Sequence, residues 1–283
     1  MARLVPWVVR AAWAILPFVA GPVLADALDG WSRTPRTVAS VGLWAGWAVV
    51  LVATLVPHPV CLTLVRVLTP AGAGVSLAAA IDGHGVGPLL LWVLLLGLVF
   101  APETGRWYVN GPAYPNERRY PLRTPGPLLL GPIALAWTVC VGGPALGALL
   151  LADRQWVMGG VVSLAAVALG FVLGRSLHTL SRRWVVFVPA GVVLHDDLAL
   201  ADPVLFRRPV VRGLGPAPAS TDALDLTRAA LGLALQLDLT DETPIVVAEP
   251  GNRAGRTVSA SSVLFTPTRP GAVLAEARAR RLV

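Results

Sequence analysis

His195, Asp196 and Asp197 stand side by side, with Asp202 close behind. Three carboxylates and an imidazole are enough donors for a metal ion on paper. Their spacing fits neither a calcium loop nor an HExxH helix, and charged residues after a strand ordinarily form a solvated turn. No metal and no other cofactor is therefore expected. His58, His84 and His178 each lie near the end of an apolar run and read as interfacial. The sequence has no glycine-rich phosphate loop, no GxSxG elbow and no Ser/His/Asp arrangement.

A second group lies in VCLTLVRVLTPAGAGVSLAAAI, where Arg66 is followed by Pro70, Gly72 and Gly74 inside an otherwise apolar run. Proline removes an N–H from the helix ladder, and glycines let a backbone unwind or pack closely. A broken helix with a buried charge is how transporters build a midplane site. The plainer reading is a kinked helix, with a neighbour against the glycines and an Arg66 side chain that snorkels to headgroups. A third group fills the loop ETGRWYVNGPAYPNERRYPLRTPGP: Arg106, Trp107, Tyr108, Tyr114, Arg118, Arg119, Tyr120 and Arg123. Such a loop could clamp an anionic headgroup or dock the C-terminal domain. It could equally be a basic interfacial loop and nothing more.

The elements that must position these groups are mostly apolar helices. Of 283 residues, 55% are hydrophobic and 14% charged, against about a quarter charged in soluble domains. Runs near 11–28, 37–56, 60–81, 86–102, 128–151 and 155–175 each approach the roughly 20 residues a bilayer crossing needs. The first run is read as a retained span, not a cleaved signal, because further hydrophobic segments follow. With six spans and a cytosolic N-terminus, the inner side holds Arg3, Arg10, Arg106, Arg118, Arg119, Arg123, Arg175, Arg182 and Arg183. The outer side holds only Arg33, Arg36 and Arg154, which suits the positive-inside rule. Loss of one span would require the count to be redone. Trp7, Trp31, Trp107, Trp156 and Trp184 near the span ends read as interface anchors.

The net charge of +7 is concentrated in residues 1–182, where 12 Arg face 6 acids, while 11 Arg face 10 acids afterwards. Anionic headgroups account for that better than nucleic acid does. Cys61 and Cys140 lie apart in apolar runs and make no disulfide framework. Gly170 and Gly174 form a GxxxG, a candidate close contact within the fold or between protomers of a homo-oligomer.

After residue 182 the pattern changes. Trp184–Val188 and Gly191–His195 read as a hairpin through Pro189-Ala190, and Val204–Val211 as an edge or bent strand. Leu231, Leu233, Leu235, Leu237 and Leu239 alternate, which places them on one face of a strand. Asp241–Pro244 reads as a turn into Ile245–Glu249, and Val258–Phe265 as a last strand. Pro270 and Gly271 then start a helix with Val273, Leu274 and Ala277 inward and arginines in its last turn.

The entry RWVVFVPAGVVLHDDLALADPVLFRR and the closing SSVLFTPTRPGAVLAEARARRL make residues 183–283 resemble a bacterial pleckstrin-homology-like domain. With several spans ahead of it, the chain looks like the polytopic membrane proteins of GC-rich actinobacteria that carry such a tail. The resemblance implies protein or lipid-surface interaction and names no ligand. The expected architecture is therefore an α-helical transmembrane bundle over 1–182 and a small cytosolic β-rich domain with a C-terminal helix over 183–283. The preferred reading is a non-enzymatic scaffold or regulator of the bacterial plasma membrane, both termini cytosolic, with a membrane or cytosolic protein partner at 183–283. A small transporter or channel at the broken third span is the alternative. An enzyme acting on a lipid-linked substrate through the 103–127 loop is disfavoured, since that loop offers only Glu103 and Glu117 as acid–base groups.

Overall fold

The computed structural model describes residues 4–249 and 251–282, apart from the Arg253 side chain. Arg3, counted above on the inner side, lies outside the described residues. The chain divides into two compact units. One comprises residues 1–111 and 134–178, the other 112–133 and 179–283. The second unit thus takes in a segment from between two apolar helices, a division a contiguous reading of the sequence does not give.

The first unit is helical: α1 Val5–Val19, α2 Gly21–Leu28, α3 Arg33–Leu55, α4 Pro59–Ile81, α5 Gly87–Phe100 and α6 Pro102–Asn110. After α7 (Gly126–Leu129), which belongs to the second unit, come α8 Pro132–Ala152 and α9 Trp156–Leu180. Five stretches are long and apolar enough to cross a membrane: Val5–Leu28, Arg33–Leu55, Pro59–Ile81, Pro132–Ala152 and Trp156–Leu180. Their large side chains face outward without cover, as Leu135 at 68%, Val157 at 83% and Leu164 at 74% exposure illustrate. That is the surface lipid tails would cover.

The run expected at 86–102 behaves differently. Alone, α5 has 14 residues, about 21 Å at 1.5 Å per residue, short of a 30 Å hydrocarbon core. It joins α6 across a 53° bend. The bend falls at Ala101, extended at φ −60° and ψ 141° because Pro102 follows it.

Indoles fasten this bundle. The Nε1 atoms of Trp13 and Trp47 donate to each other's carbonyls at 2.9 and 3.0 Å. Trp92 donates to Ser76 Oγ at 2.8 Å and Trp137 to the Val67 carbonyl at 2.7 Å. An apolar medium leaves each indole N–H no other partner, so these contacts fix helix against helix.

The close approach between α8 and α9 was not the one the GxxxG suggested. A Cβ on Gly143 or Gly147 would strike Ala166 or Ser163, whereas Gly170 and Gly174 have open space. Gly143 and Gly147 are themselves a GxxxG, within GGPALG. Motif spacing says that a face is smooth; only packing says which smooth face is used.

In the second unit, β1 Arg118–Pro121, β2 Trp184–Val188, β3 Gly191–His195 and β4 Val204–Arg207 form one antiparallel sheet in that order. A 3₁₀ turn over Arg208–Val210 leads to the second sheet. There β5 Val211–Pro216, β6 Leu224–Asp225, β7 Leu235–Glu249 and β8 Asn252–Phe265 are ordered β5-β7-β8-β6, and the short β6 lies parallel to β8. The helix α10, Pro270–Ala279, closes the unit. Phe187, Leu194, Phe206, Leu235, Leu237, Val263, Phe265, Val273 and Ala277 share one buried core.

Two local expectations change here. Leu235, Leu237 and Leu239 are buried on β7 as the alternation requires, but Leu231 and Leu233 are 70% and 51% exposed. They follow Arg228 and Ala229, whose left-handed backbones make a turn that the leucine pattern conceals. Asp241–Pro244 does not end a strand either. The chain continues through it in β7, and the ladder to β8 absorbs it by a register shift between Asp238 and Thr243.

Candidate functional site

Two cations of the helical unit, Arg10 and Arg66, lie toward the N-terminal end of α4. Proline at the first turn starts α4, and His58 caps it by accepting the Val60 N–H. Two turns on, Arg66 presents its guanidinium carbon 5.7 Å from the Phe100 ring centre at the end of α5. Its Nε is buried without a hydrogen-bond partner, and among the described residues no carboxylate pairs with it. Arg10 lies between two indoles, 4.7 Å from Trp7 and 5.1 Å from Trp107, and donates from Nε to the Thr54 carbonyl at 2.9 Å. Tyr108 is buried and donates to the Ala53 carbonyl at 3.0 Å. Thr63 Oγ1 and His178 Nδ1 are 2.9 Å apart.

Contacts along α5 and α6 place their two ends. A Cβ on Gly85, before α5, would lie 3.7 Å from Val23 in α2. Beyond the bend, Gly111 is packed so tightly on the Pro57 carbonyl that no Cβ fits there. Pro57 belongs to the turn between α3 and α4. The bent pair therefore runs from the far end of the bundle back to the end that holds Arg10 and Arg66.

The helix break that the transporter alternative places at Pro70–Gly74 is not there. The helix α4 continues from Pro59 to Ile81 with Pro70 inside it. The missing N–H of Pro70 costs one ladder bond, to the Arg66 carbonyl four residues back. Thr69 bonds the Val65 carbonyl at 2.7 Å beside it. Gly72 is the notch for the Trp92 ring, which would collide with a Cβ at that position, while Gly74 meets nothing. Pro70 and Gly72 thus have a packing account that requires no solute.

The loop residues expected to act together are divided. Arg106, Trp107 and Tyr108 belong to α6 and the helical unit; Tyr114, Arg118, Arg119, Tyr120 and Arg123 belong to the β-rich unit. Tyr114 is 79% exposed, and its backbone N–H reaches Glu117 Oε2 at 3.1 Å. Arg118 bonds the Pro115 and Glu117 carbonyls. Arg119 pairs with Glu117 at 2.8 Å and lies 5.4 Å from the Trp184 ring centre. Burial tends to raise the Glu117 carboxyl, but the Arg119 hydrogen bond, the Tyr114 N–H and the Arg119 charge together outweigh it and hold the carboxyl below its ordinary value. Tyr120 is buried, edge-on to Phe187 at 5.8 Å, with its hydroxyl donating to Glu276 Oε2 at 3.0 Å. The Arg123 N–H donates to the Thr266 carbonyl at 2.8 Å. Residues 118–121 of this segment work as an edge strand. Trp184, read as an interface anchor, is instead 7% exposed in β2, 5.0 Å from His195.

Sequence reasoning missed the strongest polar interaction. Arg183 and Asp196 are 2% and 1% exposed, joined by two parallel bonds of 2.7 and 2.8 Å. Arg183 also donates to the Arg123 carbonyl at 2.6 Å, and Asp196 accepts the Leu198 N–H at 3.1 Å. The hairpin register was the available signal. Val188 opposite Gly191 and Trp184 opposite His195 put Arg183 opposite Asp196 one step further along. Asp196 is thereby unavailable to a metal, and His195 and Asp197 stand 3.8 Å apart. Among the described residues no group of three His, Cys, Asp or Glu is placed to hold an ion.

No family model, no curated protein and no solved structure matches the chain.

Proposed function

We propose that the chain is a multi-pass protein of the bacterial plasma membrane with six crossings and both termini cytosolic. Its β-rich unit is a non-enzymatic scaffold or regulator that binds a partner or the membrane surface. One observation carries the reading: β1, from the segment between α6 and α8, is hydrogen-bonded into the sheet of the C-terminal strands. Residues 118–121 and 184–207 must then share one side of the membrane, with α8 and α9 as the two crossings between them. That side carries Arg118, Arg119, Arg123, Arg182 and Arg183, so positive-inside assigns it to the cytosol whatever the number of spans before it. The bent α5–α6 pair is the remaining crossing, which returns the N-terminus to the same side.

Two four-stranded sheets closed by a terminal helix support the bacterial pleckstrin-homology-like resemblance. The transporter alternative has less behind it, because α4 is unbroken and Trp92 fills the notch at Gly72.

The side assignment is tested by single cysteines at Tyr114 and Asn252, with Cys61 and Cys140 replaced by Ala. Both should react with a membrane-impermeant maleimide only after permeabilisation; labelling of one and not the other in intact cells refutes it. The scaffold reading is tested by photo-crosslinkers at exposed Arg212 and Arg278. A recurrent protein or lipid adduct is expected, and its absence at both positions counts against binding.

A further inference from the structure

The C-terminal end of α10 overhangs a hollow of about 450 Å³ within the β-rich unit. Arg208, Arg280 and Arg281 line it, with Val188, Pro189 and Leu282 as apolar wall. The three arginines have different commitments. Arg208 donates to the Arg280 and Arg281 carbonyls, so it covers the partial negative charge at the helix end. Arg280 bonds Glu276 at 2.7 Å and the Asn116 carbonyl at 2.9 Å. Among the described residues the Arg281 side chain has no hydrogen-bond or ion-pair partner. The acid on the same helix, Glu276, is already held by Arg280 and Tyr120.

The backbone makes Arg281 the informative residue. It follows the helix in the left-handed conformation at φ 55°, the position where glycine ordinarily ends a helix. There Leu282 N–H bonds the Ala277 carbonyl at 3.0 Å and Arg281 N–H the Arg278 carbonyl at 2.9 Å. Glycine would serve this turn with less strain. An arginine there is unfavourable locally, and what it adds is a cationic side chain, without a partner among the described residues, on a residue that lines the hollow. A strained backbone position that presents a charged group to a cavity is a reason to look for a ligand.

We infer that this hollow binds a phosphate-bearing anion, with Arg281 and the outer edge of Arg280 as its donors. Guanidinium forks match phosphate oxygens in two-point geometry. The volume suits a headgroup-sized or smaller molecule. The anion could belong to a phospholipid headgroup or to a soluble phosphate ester, since both offer the same oxygens. This inference deepens the binding role proposed for the unit and rests on it.

The test uses the full chain in phosphatidylcholine nanodiscs at physiological ionic strength. Inorganic pyrophosphate is titrated in one arm and water-soluble dihexanoyl-phosphatidylglycerol in the other. Saturable binding is expected in at least one arm, and the arm that responds names the source. Arg281→Gly should weaken it about tenfold or more, the loss of one charged hydrogen bond, with the melting temperature unchanged or raised. Arg256→Ala removes the same charge from β8 and should leave binding intact. No saturable binding in either arm overturns the inference, as does wild-type affinity in Arg281→Gly or equal weakening by both substitutions. Partner crosslinks that persist after such a failure would leave the scaffold reading standing and the hollow without its ligand.

Discussion

Arg183 in the β-rich unit and Arg66 in the helical unit are both largely withdrawn from water, and the two units treat them oppositely. Arg183 meets a carboxylate in a two-point pair and a carbonyl besides. Arg66 meets the Phe100 ring, and its Nε has no hydrogen-bond partner among the described residues. The difference follows from what surrounds each. A guanidinium in a water-folded core has no exit, so it stays only with a counter-charge and its hydrogen bonds. In a bilayer, an arginine two turns from a helix end can lead its charge along the stem to the headgroups. The unit that folds in water has to solve the charge internally; the apolar unit can pass it to the lipid boundary.

The largest test of this contrast is Asp196→Ala. It leaves Arg183 buried and unpaired, which costs about 3–5 kcal/mol. Thermal melts of the detergent-solubilised full chain should show the β-rich transition moving down or disappearing, with rapid proteolysis after residue 179. Replacing both partners, Arg183→Met with Asp196→Leu, should recover most of the loss, since an apolar pair of similar volume is often as stable. A double variant as damaged as the single one would mean that the bond from Arg183 to the Arg123 carbonyl carries the stability instead.

Glycine contacts give the next step down. Gly147→Leu forces a side chain into the space of Ser163 and should destabilise the helical unit by about 1–3 kcal/mol. Gly170→Leu enters open space and should leave the melt of the monomer unchanged. If Gly170→Leu instead shifts a dimer to monomer in light scattering, the sequence motif marks a contact between copies.

These two sites show what the sequence could and could not say. The apolar lengths located the helices because a bilayer imposes a minimum run. Turn residues and alternation located β2, β3 and α10 because each signal is local. What escaped was non-local. Nothing near Arg118–Pro121 announces that it pairs with Trp184–Phe187 across three intervening helices. The pairing of Arg183 with Asp196 is implicit in the hairpin register, but the run His195-Asp196-Asp197 taken alone resembles a set of ligands and hides it. Leu231 and Leu233 kept the strand period into a turn, where alternation has no meaning.

Glu276 falls between the two arginines, partly exposed yet paired. Burial tends to raise its carboxyl, but hydrogen bonds from Arg280 and Tyr120, with the charge of Arg118, outweigh that and hold it below its ordinary value. The folded state therefore favours the carboxylate. Its contribution is complete above the ordinary carboxyl value of about 4.3 and is lost as pH falls through the lower folded value. Glu276→Gln should cost about 1 kcal/mol at neutral pH, a modest amount because the pair is partly solvated. The variant should also flatten the acid side of the stability profile measured by thermal melts between pH 3 and 6.

The smallest expected effect is the sharpest question about the contrast. Arg66→Met keeps the length of the stem and removes the charge. If the guanidinium is only passed to the headgroups, the helical unit loses one cation–π contact, worth about 0.5–1 kcal/mol. It is also relieved of a charge that is unfavourable in hydrocarbon. The two terms oppose each other, so the melting temperature in nanodiscs should stay where it is or rise slightly. Arg66→Lys should behave like the parent, because an ammonium snorkels as well as a guanidinium does. A loss as large as that of Asp196→Ala would mean that Arg66 has an anionic partner in the bilayer, and lipids that co-purify with the parent but not with Arg66→Met would identify it. Loss of solute flux through reconstituted protein in Arg66→Met, with the melt unchanged, would give the end of α4 the transport role that its unbroken helix does not suggest.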